Sequence, residues 1–216
     1  MADIYAFPTG VKSRTGRDAG PGLPGRPAGV PDDVWHAVES VRGMQRIGDV
    51  RYREIPVPST LADYGIGVEL EAGARDDDVG TPFDGAAPAG VATGWIMILY
   101  SATRREDWGS RWRCVAFARL PLDNGEDDAL TPDLYWDLMC AHLDAVDPDS
   151  VGGTVTVTRN TAFGALGRDD SAGCEIRVSF TPTTFDGMPY DAGASVSVWA
   201  RFLKSTILFD GETDVD

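Results

Sequence analysis

The sequence predicts an α+β domain, an antiparallel sheet of about five strands with helices packed on one face. Two observations carry that expectation. Five segments alternate or run continuously apolar over strand lengths, while three others place apolar residues at helical spacing. The order is helix, three strands, helix, two strands, helix, and strands that follow one another directly favour antiparallel pairing.

The first 30 residues, including "GPGLPGRPAGVP", are rich in Gly, Pro and Arg without a hydrophobic period, so residues 1–30 are expected to form a disordered arm. A helix starts at "PDDVWHAVESVRGM": Pro31, Asp32 and Asp33 suit a first turn, and Val34, Trp35, Val38 and Val41 make its apolar stripe. In "REIPVPSTLADYGIGVELEA" the two prolines impose an extended approach to a strand in which Tyr64, Ile66, Val68 and Leu70 alternate. A glycine-rich acidic loop, "GARDDDVGTPFDGAAPAGVA", follows. "GWIMILYS" is continuously apolar, as suits a central strand covered on both faces.

"RWRCVAFARL" sets Trp112, Cys114, Ala116, Ala118 and Leu120 on one face against Arg113, Val115, Phe117 and Arg119 on the other. The small residues of the first face call for a close-packed helix, assigned to "TPDLYWDLMCAHLDAV". There Thr131 and Pro132 open the helix, and Leu134, Tyr135, Leu138, Met139, His142, Leu143 and Val146 form a wide apolar face. "GGTVTVTR" and "EIRVSFTP" are two more alternating strands. "ASVSVWARFLKSTI" places Val196, Trp199, Phe202 and Leu203 at helical spacing, either completing the core or forming a dimer or partner face. Residues 31–209 read as one domain, and residues 210–216 as an acidic tail.

Charge and motifs exclude several functions. The net charge of -15 disfavours nucleic acid and anionic membranes as partners. The longest apolar run, "WIMILY", falls far short of the roughly 20 residues that span a bilayer, and no signal-peptide run opens the chain, so a cytoplasmic location is expected. Cys114, Cys140 and Cys174 have neither metal-ligand spacing nor an even count, and Cys114 and Cys140 read as small buried hydrophobes. The carboxylate clusters Asp76–Asp77–Asp78, Asp127–Asp128 and Asp169–Asp170 lack EF-hand spacing, so no metal is predicted. The glycines lack the context of a phosphate cradle, so no cofactor is predicted either. His36 follows Asp32 by four positions and could pair with it. Neither His36 nor His142 has an identifiable nucleophile beside it, and no GxSxG element occurs, so no catalytic residue is assigned.

Trp108, Trp112, Arg113 and Arg119 remain as candidate binding residues. Two readings stand. They form an aromatic and cationic patch that grips a partner's carboxylate or an extended peptide. Alternatively the tryptophans lid the core while the arginines pair locally with Glu106 or Asp107 and lay their stems on apolar surface.

The succession "EIPVPSTLADYGIGVEL", "ATGWIMILYSATRREDWGSRWRCVAFARL", "YWDLMCAHLDA", "GGTVTVTRNTAFG" and "EIRVSFTP" resembles the actinobacterial family called domain of unknown function 3000, over about residues 31–205. The block holding Trp108, Gly109, Arg113, Val115, Arg119 and Leu120 is among its most specific pieces. The resemblance implies a cytosolic actinobacterial protein and carries over no chemistry. The element order is also that of the type III secretion chaperone-like fold, whose members mostly bind peptides or proteins; this analogy rests on order alone.

Three functions are weighed. The favoured one is a non-catalytic, chaperone-like protein- or peptide-binding module, with which a homodimer is compatible. The second is a small enzyme acting on acyl thioesters, which needs a pocket along the helix at 131–146 with His142 or a nearby carboxylate at its mouth. The third is nucleic-acid binding through the N-terminal arm, against the charge of the body.

Overall fold

The computed structural model describes residues 25–73, 91–122, 131–161, 163, 170–185 and 187–208. Its elements are α1 (Asp32–Gly43), β1 (Val50–Ile55), β2 (Tyr64–Ala72), β3 (Ala92–Arg105), β4 (Ser110–Leu122), α2 (Thr131–His142), β5 (Gly152–Thr161), β6 (Asp170–Phe180) and α3 (Ala192–Leu208). The strands form one six-stranded sheet in the order β1-β2-β3-β4-β6-β5, with every neighbouring pair antiparallel. The α+β class and the element order agree with the expectation, and β1 is an addition to it. Val50 and Tyr52 share the inner face with Ala72 and Leu70, but Glu54 occupies the next inward position, opposite Val68. A carboxylate where the period demands an apolar residue hides the strand from pattern reading.

Period-two alternation places Ile66, Val68 and Leu70, then Ile96 and Ile98, Cys114 to Leu120, and Ile176 to Phe180 on one covered face. The helix on the small residues of this face is α3, not the predicted α2: α3 lies across β2, β3 and β4, whereas α2 lies over β5. Gly94 and Ala118, paired across β3 and β4, explain the choice. A Cβ at Gly94 would stand 2.3 Å from the Phe117 carbonyl oxygen and 3.3 Å from Leu203 of α3. That close approach lets the Trp199 indole N–H of α3 donate to the Phe117 carbonyl at 3.1 Å. Val196, Trp199, Phe202 and Leu203 are each 0% exposed, so the C-terminal stripe completes the protein's own core.

Pro31 caps α1 rather than opening it, and Val34, Ala37, Val38 and Val41 are its buried stripe, with Trp35 half-buried. The helix α2 stops at His142 instead of reaching Val146. The amides of Leu143 and Asp144 close the turn on Cys140 and His142 at 3.0 and 3.1 Å, and Val146 instead bridges Pro182. Leu134, expected on the apolar face of α2, is 64% exposed. Cys140 is half-buried, unlike Cys114 and Cys174, which are fully buried; all three thiols are free.

Of the expected arm, residues 1–24 lie outside the described residues, as do the 74–90 loop and the tail at 210–216. Residues 25–30 belong with the body: Val30 is buried and its carbonyl accepts the Arg26 Nε hydrogen at 2.8 Å. No helix among the described residues is long and apolar enough to cross a membrane.

Candidate functional site

Because β4 alternates, the four candidate residues cannot share one site. Trp112 points inward, buried between the rings of Tyr100 and Tyr190, each 4.7 Å away between centroids. It is a core side chain. Arg113 and Arg119 point to the opposite face, which the helices leave open.

On that face Arg113 donates to the Ser179 hydroxyl at 2.7 Å and to the Thr181 hydroxyl at 3.0 Å, both from β6 or the residue after it. Thr181 in turn donates to the Trp108 carbonyl at 2.7 Å, which ties the β3–β4 turn to β6. Gly109 supplies the left-handed backbone of that turn, with φ 62°. Trp108 is half-buried, with the Arg105 guanidinium 4.2 Å from its ring centroid. Asp107, considered above as a partner for Arg113, pairs with Arg105 at 2.6 Å.

These groups border a hollow of about 420 Å³ whose walls include Leu61, Leu99, Trp108, Arg113 and Val115. The sequence "EIPVP" shapes its neighbourhood. After Ile55 the prolines carry the chain across the open face, and Val57 fills the space left by Gly65 and Gly67. Burial pulls the Arg113 guanidinium below the ordinary arginine value, against the opposing pull of Asp107.

Arg119 lies six residues along β4 from Arg113, roughly 20 Å at strand rise. It pairs with Glu175 at 2.9 Å, and Arg177 reaches the same carboxylate at 2.7 Å, which holds Glu175 below its ordinary pKa. Between the two arginines, Trp95 stacks on Phe117 at 5.9 Å, with Arg177 over the Phe117 ring at 5.3 Å. The structure thus brings Trp108 and Arg113 together, puts Arg119 at the far end of the same face, and removes Trp112 to the core.

A second concavity escaped sequence reading. A groove of about 800 Å³ runs beside α3, lined among others by Met44, Val146, Phe180, Tyr190 and Val198. Phe185 and Met188, 67% and 68% exposed, also line it. The available signal was an aromatic and a methionine inside the Pro- and Thr-rich stretch "TPTTFDGMPY". Beneath it the Tyr190 hydroxyl lies 2.7 Å from Ser195 Oγ and 3.4 Å from Cys114 Sγ. Burial pushes the Cys114 thiol up to about 12 and the Tyr190 hydroxyl well above its ordinary value. Both therefore hold their protons at neutral pH and supply neither a thiolate nor a base.

The histidines stand apart. His142 Nδ1 is 2.9 Å from its own helix's Leu138 carbonyl, its ring stands edge-on to Phe202, and it is absent from the groove lining. His36 is exposed, and Asp32, four residues before it, ion-pairs with Arg26. Among the described residues no three of His, Cys, Asp or Glu gather as a metal-ligand group.

No curated protein and no solved structure matches the chain. A family profile described as protein of unknown function (DUF3000) matches residues 30–207, which include both β4 candidate positions of the open face and the whole groove. The chain belongs to this DUF3000 family.

Proposed function

We propose that the chain is a non-catalytic, cytoplasmic, chaperone-like module of actinobacteria that binds a protein or peptide on its open sheet face, where Arg113 grips a carboxylate of the partner beside Trp108. One observation carries this reading. Arg53, Arg105, Arg111, Arg119 and Arg177 each meet a carboxylate, in a chain with 34 acidic residues. Arg113, half-buried, hydrogen-bonds two hydroxyls, and the nearby Asp107, which also lines the hollow, is ion-paired with Arg105. A guanidinium partly stripped of water and held by neutral acceptors keeps capacity for a bidentate carboxylate. Leu61, Leu99, Val115 and the Trp108 indole offer apolar walls for the side chain that carries it.

The test is a panel of short peptides with free or amidated C-termini, and with or without acidic side chains, titrated against wild type and Arg113→Gln. Carboxylate-bearing peptides bind wild type, and Arg113→Gln, still cooperatively folded, weakens them at least tenfold, about 1.4 kcal/mol or more. Carboxylate-bearing peptides that bind both proteins equally, or that bind wild type no better than amidated, acid-free peptides do, dispose of the reading.

A second reading, an enzyme acting on acyl thioesters, draws on the long apolar groove and the Tyr190 and Ser195 hydroxyls beneath it. It requires thioester turnover that Ser195→Ala abolishes. Silence across acyl chains of all lengths removes it.

A further inference from the structure

We propose that the edge of β5, which no other strand pairs among the described residues, pairs with β5 of a second copy, making a two-fold dimer whose sheets join into one continuous sheet. The two edges of the sheet are built differently. At one edge β1 carries Arg51, Arg53 and Glu54, is followed by Pro56 and Pro58, and exposes only Arg53. Charges and prolines of this kind are how natural proteins blunt an edge against further pairing. At the other edge β5 runs ten residues without proline, carboxylate or bulge. Its Gly152, Gly153, Thr154, Thr156, Thr158 and Arg159 are all exposed. Two exposed apolar side chains flank it: Leu134 at 64%, on the helix that lies over β5, and Phe163 at 77%, two residues past its end.

The sequence of β5 complements itself in one register. A two-fold axis normal to the sheet keeps each face on its own side, so the axis must pass through a residue and not between two. Centred on Thr156, the pairing sets Thr154 against Thr158 on the open face and Val155 against Val157 under the α2 helices. Thr–Thr and β-branched pairs are favourable neighbours across strands. Arg159, the one charge on the strand, falls opposite Gly153, where no side chain competes for space. The net charge of -15 makes two copies repel, yet this edge brings no carboxylate of β5 against another. β5 itself thus adds no carboxylate repulsion to the pairing.

Sedimentation velocity of the full chain tests the inference, with Thr156→Lys placing two ammonium groups face to face at the axis. Wild type is expected at twice the 23.2 kDa chain mass, and Thr156→Lys at the chain mass with an unchanged melting temperature. Thr156→Cys, in a Cys140→Ser background, gives an independent reading. Residues facing each other at the axis lie about 4.5–5.5 Å apart between Cβ atoms, close enough for mild oxidation to link them. Thr154→Cys alone does not link, but a mixture of Thr154→Cys and Thr158→Cys chains does. A wild type that stays monomeric at all concentrations overturns the proposal. So does a dimer that survives Thr156→Lys and forms no link at position 156. Carboxylate binding at Arg113 is untouched by Thr156→Lys, so the two proposals fail separately.

Discussion

Replacing Trp199 by phenylalanine probes the contact that seats α3 on the sheet. The side chain is 0% exposed, packs on Phe202 at 5.0 Å between centroids, and donates from its indole N–H to the Phe117 carbonyl. Phenylalanine removes that donor and leaves a buried carbonyl short of a partner, which costs about 1–2 kcal/mol. The missing second ring leaves a void where Gly94 and Leu203 converge, worth roughly another 1–2 kcal/mol. The sum, about 2–4 kcal/mol, lowers the melting temperature by roughly 4–16 °C for a chain of this size. Urea unfolding of both proteins measures it, with the midpoint falling and the slope unchanged. A loss under about 0.5 kcal/mol, the range of ordinary surface substitutions, refutes the claim that this bond and this ring hold the helix in place.

Three further expectations follow from burial. Gly193→Ala would put a Cβ 2.5 Å from the Ser40 carbonyl oxygen, where α1 crosses α3, so α1 must move. The cost, about 1–3 kcal/mol, outweighs the helix-propensity gain of about 1 kcal/mol, so a melting temperature that rises contradicts the packing. A thiol raised from 9.0 to about 12 contributes stability that is complete below pH 9 and lost as pH climbs toward 12, because only the unfolded chain ionises in that window. The unfolding free energy from urea titration therefore falls above pH 9, by up to about 1.4 kcal/mol per pH unit from Cys114, and less steeply in Cys114→Ala. Raised Tyr190 adds a fall of the same sign at higher pH. Native-state alkylation at pH 8 should reach half-buried Cys140 and spare Cys114, whose modification at the rate of Cys140 would contradict its burial.

Four strands were legible because their side chains alternate, as Cys114 to Leu120 do against Arg113 to Arg119, and β3 was legible as a continuous apolar run. β1 was not, since Glu54 takes an inward position. The same alternation already implied that Trp112 and Arg113 part company, adjacent residues of a strand facing opposite ways. Trp108 could not be placed by that rule, because it sits in a turn held by Thr181 from 73 residues away. The groove was invisible for a related reason: Met44, Val146 and Tyr190 come from three distant stretches, and no local pattern records their meeting.

Local chemistry along the chain therefore determined the fold class, the helix and strand periods, the inward face of the alternating strands and the family. Tertiary structure alone decided which helix covers which strands, that Arg113 hydrogen-bonds hydroxyls where Arg105 and Arg119 hold carboxylates, and that among the described residues one sheet edge is guarded while the other stands open. Periodicity is a property of consecutive residues, which solvent sorts one element at a time. Partnership across the sheet depends on how elements far apart in the chain are brought together.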